Sequence, residues 1–146
     1  MKTWLLLPVL LLMAFSGCER GRAIEPVDVK QVLGNWRLVQ PVSTYETTLA
    51  VEVDQYSGGT ASGVHSLKFT GRAAVNTYFT SARLINWATG TVDVSSVGST
   101  KVAGSAEAMQ FEQTYYANLK AVNRYELTDE KRLKLFYEGG VLVYEK

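Results

Sequence analysis

Apolar and polar residues alternate along most of this chain, and a single stretch departs from the two-residue period. Trp36 and Leu38, with Val39 beside them, predict a first strand that Pro41 stops. From Thr48 to Asp54, Leu49, Val51 and Val53 alternate with Ala50 and Glu52, the pattern of a half-buried strand. His65, Leu67 and Phe69 predict the next strand, a turn is expected at Thr70-Gly71, and another strand runs from Ala73 or Ala74 to Phe79. Arg83 to Trp87 and Thr91 to Val97 flank a turn at Thr89-Gly90. The last hairpin pairs Leu133, Leu135 and Tyr137 with Leu142 and Tyr144 across Gly139-Gly140. Between Ser105 and Val122 the spacing changes: Ala108, Phe111, Tyr115, Leu119 and Val122 recur every three or four residues, with neither Gly nor Pro among them. That is the stripe of an amphipathic helix, with Ser105 placed to cap its N-terminus. A shorter helical turn is expected from Pro26 through Val27, Val29, Val32 and Leu33, closed by Gly34.

These elements predict an α+β domain: a strongly curved antiparallel sheet of about eight strands, open or half-closed as a barrel, with one main helix near 105–122 packed on it. Short strands with one apolar face must curve over a helix, or close on themselves, to bury that face.

The first residues follow a different logic. Lys2 is followed by a 12-residue apolar run, Trp4 to Phe15, broken only by Pro8. As a helix this run is about 18 Å long, far short of a hydrocarbon core of about 30 Å, so a secretory signal fits and a transmembrane anchor does not. The run ends in Phe15-Ser16-Gly17-Cys18, which resembles the lipobox of bacterial lipoproteins, although Phe15 stands where that pattern more often has Leu, Val or Ile. The resemblance implies diacylglycerol on Cys18 and a membrane anchor, with residues 1–17 a signal peptide, 18–25 a tether and 26–146 the domain. Glu19 follows Cys18, and the absence of Asp there implies the outer membrane, facing the periplasm, by similarity to enterobacterial sorting. Acyl chains contribute about 0.8 kcal/mol per buried CH₂, and stable anchoring takes more than one.

Composition narrows the chemistry. The chain has 146 residues, one Cys, one His and a formal net charge of +1. A disulfide framework and a Cys/His zinc site are excluded within one chain, no cofactor is expected, and the charge gives no footprint for nucleic acid. His65 lies in an alternating strand with no Gly-x-Ser-x-Gly elbow nearby. Glu107 and Glu112, five residues apart, point in different directions on a helix and do not form an acid/base dyad. No enzymatic constellation emerges.

From Gly34 to Lys146 the sequence resembles the META domain, the fold of HslJ-like heat-shock envelope proteins. Gly34-Asn35-Trp36-Arg37-Leu38 is similar to its first strand, Phe69-Thr70-Gly71-Arg72 with Val75-Asn76-Thr77-Tyr78 to its central stretch, and Ser99-Thr100-Lys101-Val102-Ala103-Gly104 to the segment before its helix. Ala108-Met109, Glu112, Tyr115 and Leu119 match the helix, and Leu133-Lys134-Leu135 with Leu142 and Tyr144 the closing hairpin. The resemblance implies structural roles for Trp36, Asn76, Thr100 and Glu112. Asn76 is expected to take a special backbone conformation or cap a turn, Thr100 to meet the helix N-terminus, and Glu112 to hold backbone at the sheet rim. Val75 and Gly104 stand where many members have cysteines; their joint replacement is what a dispensable disulfide in those members implies. Val102, in place of Met, is expected to be a core residue.

Gly34-Asn35-Trp36 also fits the Gly-x-Trp opening of lipocalins, but their helix follows the eighth strand, whereas here it precedes the last two or three. Most tyrosines and tryptophans, Trp87 included, are expected to pack in the core or on the sheet. Tyr45, Tyr56 and Tyr116 are the candidates for a ligand or partner surface. The expected function is a binding or scaffolding lipoprotein of the envelope. The alternatives are a carrier of a small apolar ligand, or an envelope protease inhibitor using Ser57 to Gly63.

Overall fold

The structure, a computed structural model, describes residues 29–54 and 66–146. Eleven elements follow in order: α1 (Val29–Val32), β1 (Gly34–Gln40), β2 (Thr48–Val53), β3 (Ser66–Ala73), β4 (Asn76–Asn86), β5 (Thr91–Val94), β6 (Gly98–Ser99), α2 (Ala106–Lys120), β7 (Val122–Leu127), β8 (Leu133–Tyr137) and β9 (Gly140–Glu145).

All strand pairs are antiparallel, in the order β3-β2-β1-β9-β8-β7-β5-β4, and β3 also pairs with β4 along its whole length. That ladder, from Ser66↔Arg83 to Ala73↔Asn76, closes the sheet into an eight-strand ring. The curved antiparallel sheet read from the sequence is therefore present, and its open or half-barrel form is corrected to a closed one. Closure removes the exposed edges that an open sheet would present. The thinnest seam lies between β5 and β7, where Thr91↔Arg124 is the registered pair. The short β6 continues the line of β5 along the other half of β4.

Inward positions follow the two-residue period: Trp36, Leu49, Val51, Leu67, Phe69, Tyr78, Ala82, Val92, Val94, Leu133, Leu135, Leu142 and Tyr144 belong to one buried cluster. Helix α2 adds Tyr115 and Leu119 to it, and α1 adds Val32. The register puts the two helices at opposite ends of the ring. At one end lie α1, the start of β1 and the β4–β5 turn; at the other lie the β1–β2 and β3–β4 connections and α2.

Several local expectations change. Thr70-Gly71 is not a turn. Gly71 lies within β3, where a Cβ would run into the Thr48 carbonyl oxygen, and the chain reverses at Ala74-Val75 instead. The segments expected as separate strands, 73–79 and 83–87, are joined instead: Ala73 ends β3, and residues 76–86 form one continuous eleven-residue β4. The helix ends at Lys120, and Val122, the last residue of the helical stripe, is the buried first residue of β7. Val53 at the end of β2 is 36% exposed, and Val102, expected in the core, is 57% exposed. The closing hairpin turns at Glu138-Gly139, where Gly139 takes φ 92° and leaves Tyr137 paired with Gly140.

Candidate functional site

The helix is held over its end of the ring by two buried polar systems. The first centres on Glu112, which is 2% exposed. Its Oε1 accepts hydrogen bonds from the backbone N–H groups of Val75 (2.7 Å) and Asn76 (2.5 Å), and its Oε2 accepts from Asn76 Nδ2 at 2.8 Å. Asn76 passes the connection onward. Its Nδ2 also donates to the Val102 carbonyl at 3.0 Å, while its Oδ1 accepts from Val102 N–H (2.7 Å) and the Thr100 hydroxyl (2.8 Å). Thr100 Oγ1 in turn accepts from Thr77 N–H at 3.2 Å. One carboxylate and one amide thus tie the β3–β4 turn, the segment before α2 and α2 itself into a single unit.

The roles within this unit differ from the expected ones in two respects. The positive φ of the turn falls on Ala74 (45°), and Asn76 acts through its side chain. Thr100 serves β4, while the helix N-terminus is capped by Ser105, whose hydroxyl accepts from Ala108 N–H at 3.2 Å. The Glu107 carboxyl is held below its ordinary range by backbone N–H at its own position and by Ser105, as suits the first turn of a helix.

The second system is a chain of phenols. Tyr78 of β4 donates to the Thr48 carbonyl at 2.8 Å and shares a hydrogen bond with Tyr115 of α2 (2.8 Å), which shares another with Tyr144 of β9 (2.9 Å). β4 and β9 are four strands apart on a ring of eight whichever way it is counted, so they face each other across the interior. Tyr115 therefore inserts from the helix into the barrel and joins its opposite walls. Burial, reinforced by the neighbouring phenols, pushes the hydroxyls of all three tyrosines well above the ordinary phenol range. They remain neutral donors, unsuited to act as bases. Trp36, at the far end, is 2% exposed, donates Nε1–H to the Val32 carbonyl at 2.8 Å and carries the Lys146 ammonium 4.7 Å from its ring centroid.

Of the three candidate surface tyrosines, Tyr45 and Tyr116 are among the described residues. Tyr45, on the β1–β2 connection, packs against Phe111 of α2 with centroids 5.2 Å apart. It borders a cleft of about 440 Å³ lined by Thr44, Glu46, Thr48, Arg72 and Ala74. Tyr116 packs against Tyr78 and Tyr115. Its hydroxyl is buried beside Ser99 without a well-formed hydrogen bond, and burial, with the Glu112 carboxylate nearby, pushes it up to about 12. Tyr56, His65, Cys18 and the Ser57–Gly63 segment lie outside the described residues. The sequence reading missed Arg72 as a cleft residue. Arg37, Arg83, Arg124 and Arg132 each pair with a carboxylate, whereas Arg72 has no carboxylate partner among the described residues. Also among the described residues, no three His, Cys, Asp or Glu side chains converge as metal ligands.

A closed eight-strand antiparallel barrel, plugged at one end by a helix that a buried carboxylate clamps in place, defines the class of this domain. The sequence profile of the META domain matches residues 32–146, and the chain belongs to that family. No curated protein and no solved structure matches it significantly.

Proposed function

We propose that this protein is a non-enzymatic lipoprotein of the bacterial envelope, anchored through Cys18, whose META domain binds or scaffolds an envelope partner. The observation that carries the non-catalytic part is the commitment of the buried polar groups. Both oxygens of Glu112, both polar atoms of the Asn76 side chain and the Tyr78–Tyr115–Tyr144 hydroxyls are consumed in holding helix to barrel. Recognition then falls to the surface, and the cleft beside Tyr45 offers an aromatic wall and the Arg72 guanidinium, which pairs with no carboxylate among the described residues. The carrier reading has less support, because inward side chains from all eight ring strands, together with Tyr115 and Leu119, fill the interior as one cluster.

The anchor is tested by metabolic acyl labelling. Wild-type chain should incorporate label and lose residues 1–17, and Cys18→Ser should remain unlabelled and unprocessed. Normal labelling of Cys18→Ser would overturn the lipoprotein reading.

A further inference from the structure

The end of the barrel opposite α2 carries an apolar tip that the fold does not use. β4 runs three residues beyond its Arg83↔Ser66 pair with β3, to Asn86, and then reverses through a tight turn into β5. Asn86 Oδ1 accepts from the N–H groups of Ala88 (3.0 Å) and Thr89 (3.4 Å), and Gly90 N–H donates to the Trp87 carbonyl at 3.3 Å. The Thr89 and Thr91 hydroxyls bond at 2.7 Å, and Gly90, at φ 69°, lies against the Tyr125 carbonyl where no Cβ fits. The turn is thus fixed on every side, yet it presents Ile85 and Trp87 to solvent, 55% and 58% exposed. Arg83 and Asp93, on the two strands that carry the turn, pair with each other at 3.0 Å. What the tip offers is apolar and aromatic.

Its place in the ring matters more than its exposure. Gly34 pairs with Val51, Val53 with Leu67 and Leu67 with Ala82, so the start of β1 and the β4–β5 turn lie at the same end. The chain reaches the barrel there, through Val29 of α1. Eleven residue-to-residue steps separate Cys18 from Val29. Even fully extended, they span at most about 40 Å. An anchor at Cys18 is therefore tethered to this end of the barrel, the end that carries the Ile85–Trp87 turn. Tryptophan is the side chain that most favours the membrane–water interface, and a fixed turn orders no new backbone when it docks there.

We infer that the Ile85–Trp87 turn is a second membrane contact, seating in the headgroup region of the bilayer that holds the anchor and directing the α2 end and its Tyr45 cleft away from the lipid. The inference rests on the lipid-anchor reading above, and its test separates the two. The full chain, carrying Trp4→Phe so that Trp36 and Trp87 are its tryptophans, is recovered from membranes. It is then reconstituted into phosphatidylethanolamine/phosphatidylglycerol vesicles with and without brominated acyl chains. Trp36, sealed in the core, is the internal reference. The expected result is acylated, vesicle-bound chain whose Trp87 emission is quenched by brominated lipid. The quenchable share should disappear in Ile85→Ser/Trp87→Ser, whose exposed positions leave the fold intact. Acylated, vesicle-bound chain with Trp87 unquenched would overturn the inference and leave the anchor standing. Trp87 unquenched by lipid but shielded from aqueous iodide as chain density rises would assign the tip to a second copy of this chain, against the inference. Unacylated chain free of vesicles would remove both.

Discussion

Glu112 grips Asn76 twice, accepting its backbone N–H on one carboxylate oxygen at 2.5 Å and its side-chain amide on the other at 2.8 Å. The two residues are 36 apart in sequence, and Val75 N–H adds a third donor to the same carboxylate. Hydrogen bonds to a charged group contribute about 1.5–3 kcal/mol each, and a buried donor left unpaired costs about 1–3 kcal/mol. Glu112→Ala should therefore lower stability by about 3–5 kcal/mol, read as a shift of the urea midpoint. Glu112→Gln should recover only part of this, since its amide replaces one acceptor with a donor facing other donors. An unchanged midpoint in Glu112→Ala would mean that the clamp contributes nothing.

Val75 and Gly104 approach across the same junction. A Cβ on Gly104 would lie 3.6 Å from Val75 Cβ, within the range that disulfides span, and the atom it would crowd, Val75 Cγ2 at 2.6 Å, is absent from cysteine. The paired cysteines implied by resemblance to other members thus have room here. Val75→Cys with Gly104→Cys should form a bond under oxidising conditions and stabilise the domain by about 3 kcal/mol, from closure of a loop of roughly thirty residues. Thermal unfolding with and without reductant measures it. Equal melting temperatures in the two conditions would show that the bridge does not form or is offset by strain.

The Tyr78–Tyr115–Tyr144 chain makes stability depend on alkaline pH. All three phenols have folded-state values raised by burial, so the folded state keeps protons that the unfolded chain releases once pH exceeds about 10. Their contribution is fully present below that value and declines above it, by about 1.4 kcal/mol per pH unit for each tyrosine that ionises only on unfolding. Tyrosinate absorbance should accordingly rise in two steps: the accessible phenols first, and the buried phenols, Tyr78, Tyr115 and Tyr144 with Tyr116 and Tyr125, at higher pH as the fold opens. Tyr115→Phe should make the decline shallower. A single smooth titration of all tyrosines, with the fold retained, would contradict the buried chain.

Much of the barrel was legible because its strands obey the two-residue period that a one-sided sheet imposes. Leu49 with Val51, Leu67 with Phe69, and Leu142 with Tyr144 mark inward faces directly. The Ser105 cap and the helix stripe were legible for the same kind of reason. What failed was local: Val122 extends the helical spacing yet starts β7, because Ala121 already closes the helix with a C-cap. Trp87 belongs to the aromatics expected in the core or on the sheet, and only the turn geometry shows it outside. Closure of the ring was not legible, since it depends on β3–β4 register rather than on either strand's pattern. Within the polar clamp, Asn76, Thr100 and Glu112 were singled out by resemblance, but the direction of their bonds was not encoded in spacing.

Gly71 is the most instructive misreading, because a glycine after threonine fits a turn and here marks a crossing. It pairs with Tyr78 inside the β3–β4 ladder, and a Cβ there would strike the Thr48 carbonyl oxygen and lie 2.8 Å from the Tyr78 hydroxyl. Those two groups are hydrogen-bonded to each other, and Tyr78 leads on to Tyr115 and Tyr144. A glycine in a strand interior often signals such a close backbone approach. Gly71→Ala should therefore push Tyr78 away from Thr48, breaking the phenol chain at its start and costing about 1–3 kcal/mol from overpacking, with more if the Thr48 bond is lost. An alanine at a true turn position would instead leave the Tyr78 ring in place. The two cases separate in the near-ultraviolet circular dichroism of the tyrosine cluster, which should weaken in Gly71→Ala only if the glycine is the crossing point seen here.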